Sequence, residues 1–129
     1  VRKMFREHVE DYRAKGEAIR NAELFREYFA ISVCPSEGLD SPTVVGAQAA
    51  NELLNIIGVK ASFVLTDYRN TIYISARSID EINVQIVMER LGGGGHLNIA
   101  GAQLEHYSVA EAKDVLKQTL QKMLDEGDI

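Results

Sequence analysis

The chain has 129 residues, of which 46% are hydrophobic and 26% charged, and it carries a net charge of −5. That is enough for one ordinary globular domain with a core of its own, and no apolar run is long enough to span a bilayer. The acidic balance argues against a broad basic face that coats long nucleic acid, and leaves room for a small anionic ligand held by a few local donors.

The chain opens on Val1 rather than Met, so an excerpt from a longer protein is expected. Its start, Val1-Arg2-Lys3-Met4-Phe5-Arg6, is charged and helix-like and does not read as a signal peptide. From Arg2 to about Glu27, apolar residues at Phe5, Val9, Tyr12 and Ile19 draw one narrow helical stripe, with Gly16 as a weak point. So thin a stripe buries little by itself and predicts a connector helix that docks against something outside the chain. Tyr28 to Pro35 is β-prone and contains the single cysteine, Cys34. One cysteine cannot form an internal disulfide, which suits a reducing, cytoplasmic setting, and its apolar neighbours predict a buried thiol with no chemical role.

Ser41-Pro42 reads as an N-cap followed by proline at the first helical position. The helix is expected to run to about Ile57 with Val45, Ala49, Leu53 and Ile56 on one face, and to stop at Gly58. Val59 to Thr66 and Thr71 to Arg77 read as strands joined through Asp67-Tyr68-Arg69-Asn70. In the second strand Ile72, Ile74 and Ala76 face one way and Thr71, Tyr73, Ser75 and Arg77 the other, giving one packed and one polar face. A helix is predicted from about Asp80 to Leu91, with Val84, Val87, Met88 and Leu91 at perfect helical spacing and Asn83 and Gln85 on its surface. After the glycines that follow, Leu97 to Ala102 is expected as a short helix and Gln103 to Tyr107 as a strand. Ser108-Val109-Ala110-Glu111 is a capping box opening a last helix, with Ala112, Val115, Leu116, Leu120, Met123 and Leu124 on its apolar face and Gly127 at its end. The fold class is α/β in the broad sense (α+β): a mixed sheet of about five strands packed with helices, over residues 28–129, behind a connector helix over residues 1–27.

The run Gly92-Gly93-Gly94-Gly95-His96 is the most unusual local feature. Consecutive glycines can alternate the sign of φ, so their N–H groups can converge on one anion, above all if a helix begins just after them. The His96 imidazole can donate to a phosphate oxygen in either charge state. The plainer alternative is a helix C-cap followed by a turn. A P-loop is excluded because His96 and Leu97 stand where Lys and Ser/Thr belong, and the dinucleotide fingerprint is excluded because residue 97 is not glycine. Arg77, followed by Ser78, is a second candidate: a guanidinium fork matches phosphate, and a hydroxyl adds a donor. Its alternative is a solvated arginine or an ion pair with Asp80 or Glu81. Asn98 can read a base edge or cap the expected short helix. His8 and His106 have polar neighbours and are expected to be exposed. The three histidines stand apart, no Asp-His pair occurs, and no catalytic centre is visible.

Ala61-Ser62-Phe63-Val64, Ile74-Ser75-Ala76-Arg77-Ser78, Asn83-Val84-Gln85 and Met88-Glu89-Arg90-Leu91 running into the glycines and His96 resemble the DHH-associated substrate-binding domain. That is the C-terminal module of the DHH phosphoesterases. With Ala100-Gly101-Ala102-Gln103 after it, the string is most similar to the GdpP type of cyclic-di-AMP phosphodiesterase. The resemblance covers roughly residues 28 to 127 and implies that Gly92, Gly93, Gly94, Gly95 and His96 contact phosphate or ribose while Arg77 and Ser78 hold the nucleotide. It implies a manganese site in an upstream DHH domain, whose Asp-His-His motif this chain lacks. The expected ligands are cyclic-di-AMP, the linear dinucleotide pApA or a short oligonucleotide, and the expected partners are the upstream domain and a second copy in a homodimer. It further implies a whole protein anchored in a bacterial membrane. The alternative is a single-stranded nucleic-acid module of a RecJ-like exonuclease or oligoribonuclease, which would need a basic groove with stacking aromatics.

Overall fold

In a computed structural model, which describes residues 8–129, six strands form one mixed sheet with helices on both faces. The elements in chain order are α1 (Val9–Arg20), β1 (Glu23–Phe25), β2 (Phe29–Cys34), α2 (Pro42–Leu53), β3 (Ala61–Tyr68), β4 (Thr71–Ser78), α3 (Val84–Arg90), β5 (Gly94–Gly95), β6 (Ile99–Glu105) and α4 (Val109–Glu126). The sheet order is β1-β2-β3-β4-β6-β5. Only β2 and β3 run parallel, joined by the α2 crossover; every other pair is antiparallel.

The two halves of the sheet are covered differently. β2 and β3 are buried on both faces, which is why they read as nearly continuous apolar runs. Phe29, Ile31, Phe63 and Leu65 join Ile72, Ile74, Ala76, Ala100, Ala102 and Leu104 in the main core under α3 and α4. On the opposite face Ala30, Cys34 and Val64 meet Ala14 and Ala18 of α1 and Val45, Ala49, Ala50 and Leu53 of α2. The hydroxyls on that face answer helix carbonyls: Ser62 Oγ donates to Ala50 O at 2.6 Å, and Ser32 Oγ donates to Ala18 O. α2 reaches β4, where Asn51 bonds Arg77, but leaves most of this face of β4 and β6 open, and both strands alternate between buried and accessible residues. Their uncovered face is the structural origin of the site described below.

Several expectations are corrected. The first helix ends at Arg20, and Glu23–Phe25 is an edge strand paired with β2. Its buried residues are Ala14, Lys15 and Ala18, while Val9 and Tyr12 of the expected stripe are 62% and 59% exposed. The stretch Arg2 to Phe5 lies outside the described residues. α2 ends at Leu53, leaving Ile56 exposed beyond it. The β3–β4 hairpin is tighter than expected, with only Arg69 and Asn70 at its tip, both at positive φ as a two-residue turn of this hand requires. α3 begins at Val84, because Asn83 caps it by accepting from the N–H groups of Gln85 and Ile86. Leu97 to Ala102 forms no helix: Ile99–Glu105 is one strand, and its small residues fit a ladder flanked on both sides. The capping box at Ser108 and Glu111 and the left-handed Gly127 are present as read.

Candidate functional site

The uncovered face of β4 and β6 forms the floor of a cleft. Register fixes its rungs, since residues directly opposite in an antiparallel pair share a face. Thr71 pairs with Glu105, Tyr73 with Gln103, Ser75 with Gly101 and Arg77 with Ile99. The flank of α2 makes one wall and the glycine run closes the opposite side. The cavity is about 660 Å³, lined among others by Thr43, Tyr73, Ser75, Gly92, Gly93, Gly101, Gln103, Glu105 and Tyr107. That is within the range of small-molecule sites.

Arg77 lies on the same strand face one rung beyond Ser75, next to this cavity and not among the residues that line it. Its Nε donates to Asn51 Oδ1 on α2 at 2.9 Å, and its Nη1 donates to Ala76 O at 2.9 Å. Partial burial lowers the guanidinium pKa from its ordinary value, because desolvation disfavours the cation. Among the described residues no carboxylate pairs with it, so the expected alternatives at Asp80 and Glu81 are not taken up. A half-buried cation with donors left over and no counter-ion among the described residues suits an anionic ligand. Asn51 was not legible as a site residue in the sequence; a polar residue on an exposed helix flank has no local signature.

Ser78 lies one residue on, hence on the other face. It is 5% exposed, its Oγ donates to Ile82 O at 2.6 Å, and Asn98 Nδ2 donates to it at 2.9 Å. Asn98 also donates to Asp80 O at 3.3 Å. These bonds close the loop before α3 and tie both side chains to it.

The glycines approach the protein's own backbone. Gly92 takes φ +85° behind α3, its N–H meets Glu89 O at 3.1 Å and the Gly93 N–H meets Met88 O at 2.8 Å, a Schellman cap. Gly94 and Gly95 then pair with Gly101 and Ala100 of β6. A Cβ on Gly93 would lie 2.0 Å from Gly101 O, and one on Gly95 would lie 2.5 Å from Ala100 Cα. No helix begins after the run, so the helix N-terminal charge that would strengthen an anion nest is missing, and the N–H groups of Gly92 and Gly93 are spent on the cap. His96 is exposed, and its N–H donates to Ile99 O at 2.7 Å. Ile99 is also the rung partner of Arg77, so Arg77 and His96 flank Ile99 from its two neighbouring chain segments.

The other candidates separate clearly. His8 and His106 are exposed. Cys34 is buried, and burial pushes its thiol up to about 11. Among the described residues no group of three or more His, Cys, Asp or Glu could hold a metal ion, so this donor set does not fit manganese. Nor is any described helix long and apolar enough to cross a membrane.

The DHHA1 domain family matches residues 27–124. The cyclic-di-AMP phosphodiesterase GdpP of Geobacillus thermodenitrificans (strain NG80-2) is 38% identical over 128 residues, covering 98% of this chain and 19% of that protein. Its namesake from Bacillus subtilis (strain 168) is 40% identical over 129 residues, covering 98% of this chain and 20% of that protein. The chain thus spans about a fifth of the length of these curated relatives. Among solved structures, an exopolyphosphatase-related protein from Bacteroides fragilis superposes with a TM-score of 0.80 at 24% identity, over 92% of this chain and 36% of that one, a likeness of fold.

Proposed function

Since the chain belongs to the DHHA1 domain family, we propose that it is the nucleotide-binding domain of a cyclic-di-AMP phosphodiesterase. Its task on this reading is to hold the phosphate and ribose of cyclic-di-AMP, or of the linear product pApA, in the cleft beside α2. The observation that carries the reading is Arg77: half-buried, oriented by Asn51, and without a carboxylate partner among the described residues. His96 and the outer edge of the glycine run would meet the ligand from the far side of Ile99. Positioning of this kind acts on a reaction barrier by fixing geometry.

The hydrolytic metal, taken to be manganese, belongs on this reading to an upstream DHH domain. The whole protein would then work on the cytoplasmic side of a membrane to which its other domains anchor it. The names of the relatives support the substrate class, and the length difference supports a division of labour between domains.

Calorimetric titration with pApA and with cyclic-di-AMP tests the reading. Saturable binding is expected, weakened at least about tenfold in Arg77→Ala, the loss typical of one charge-assisted contact. Equal binding by the variant removes Arg77 from the site. If neither ligand binds the folded chain or a form extended upstream through the DHH domain, the reading is wrong.

A further inference from the structure

The end of the cleft away from Arg77 carries chemistry that a phosphate does not need. We propose that the rung Tyr73–Gln103, bordered by Tyr107, is a subsite for the nucleobase of the bound nucleotide, and that it takes a purine bearing an exocyclic amine. This rests on the nucleotide-binding reading above and assigns the ligand's orientation within the same cleft.

Three observations point the same way. The first is spacing. Between the Arg77 and Tyr73 rungs lies the pair Ser75–Gly101, the smallest on the floor, which leaves a hollow between two occupied ends. Four residues of strand span about 14 Å, a length that a phosphate, a ribose and a base can bridge.

The second is polarity. Arg77 lies just beyond one end, and the exposed Glu105 carboxylate lines the cavity at the other. A phosphate is attracted to the first and repelled by the second. An exocyclic amine has the opposite preference, because it donates to a carboxylate or a carboxamide. A carboxamide can also engage adenine through two bonds at once, accepting from the amine and donating to the ring nitrogen. Among the described residues the Gln103 carboxamide and the Tyr107 hydroxyl make no hydrogen bond, so the fold does not use them.

The third is stacking surface. The Tyr73 ring is half-buried and backed by Tyr68, with centroids 6.4 Å apart, and the Arg69 guanidinium lies 4.9 Å over the Tyr68 ring. The Tyr73 ring thus packs against Tyr68 beside the hollow, while Tyr107 stands at its rim, 40% exposed. A base inserted there gains stacking on a fixed aromatic surface.

The test compares adenosine 5′-monophosphate with ribose 5-phosphate, which lacks the base, by NMR titration of the chain and of Gln103→Ala, Tyr107→Ala and Arg77→Ala, each checked for folding by thermal melt. The nucleotide should bind about fivefold tighter than the sugar phosphate, or more. Gln103→Ala and Tyr107→Ala should each remove much of that difference and leave ribose 5-phosphate unaffected, while Arg77→Ala weakens both. If the two probes bind equally, or the Gln103 and Tyr107 variants leave the nucleotide untouched, while Arg77→Ala still weakens both, the base subsite is overturned and the parent reading stands. If neither probe binds, or Arg77→Ala weakens neither, the base subsite is overturned, and the titrations with pApA and cyclic-di-AMP decide the parent reading separately.

Discussion

The side chain of Arg77 on β4 is tied to that of Asn51 on α2 by a 2.9 Å hydrogen bond, across 26 residues of sequence. The bond joins the sheet floor to the helix wall where α2 leaves the sheet uncovered. Because only Nε and Nη1 are engaged among the described residues, Asn51 orients the guanidinium without using up its donors.

Asn51→Ala should therefore separate orientation from charge. Asn51 is exposed, so the substitution is expected to cost about 1 kcal/mol of stability or less. Affinity for pApA should fall several-fold, less than in Arg77→Ala, because the cation remains. Arg77→Lys should bind like Arg77→Ala more than like the native chain, since a point charge cannot both bond Asn51 and fork onto a phosphate. Full affinity in Asn51→Ala would show that the bond is only structural.

The glycines should respond unequally to alanine. Gly93→Ala and Gly95→Ala drive a Cβ into the backbone of β6, and Gly95 also sits at φ +145°. Each should cost about 3 kcal/mol or more, since backbone cannot yield as a flexible side chain does. Gly94 has open space where a Cβ would go, so Gly94→Ala should cost well under half as much. Thermal melts of the three variants decide it; equal losses at all three positions would mean that close approach to β6 is not the reason for the run.

How far the sequence foretold this molecule depended on how local each cause is. The capping box at Ser108 and the alternation along Thr71–Ser78 were legible because a side chain and its neighbours in sequence decide them. β6 was misread because Ala100-Gly101-Ala102 lacks branched residues, and its strand character comes from pairing with β4 and β5. β1 has no local signature in Glu23-Leu24-Phe25: the helix ends at Arg20, and these three residues become a strand by pairing with β2 across a turn at Arg26 and Glu27, both at positive φ and neither of them glycine. Arg77 could be placed on a polar face from its own strand. Asn51, Gln103 and Tyr107 could be joined to it only by register and packing.

Cys34 should be inert in the native state. Its buried thiol, raised to about 11 by desolvation and then by the charge of Glu17, stays protonated well above neutrality. The unfolded chain releases that proton near 9.0, the ordinary value, so the native state holds more protons between about 9 and 11. The associated stability is fully present below that window and is lost as pH rises through it. Denaturant titrations at pH 8 and pH 10.5 should show a lower midpoint at the higher pH, and Cys34→Ala should shrink the difference. Rapid labelling of the native thiol at pH 8 would contradict the assignment.

Ser78 offers the sharpest contrast between holding the fold and holding a ligand. Its hydroxyl donates to Ile82 O and accepts from Asn98, so Ser78→Ala leaves a carbonyl and an amide hydrogen without that partner in a nearly closed site. The loss should be about 1–3 kcal/mol, appearing as a lower melting temperature. Affinity for pApA, measured well below the melt, should change less than twofold, because Ser78 faces away from the cleft floor that Arg77 shares. The outcome that would sink this assignment is the reverse one, a native-like melt with binding lost, which would put the hydroxyl on the ligand and require the loop before α3 to open when the ligand arrives.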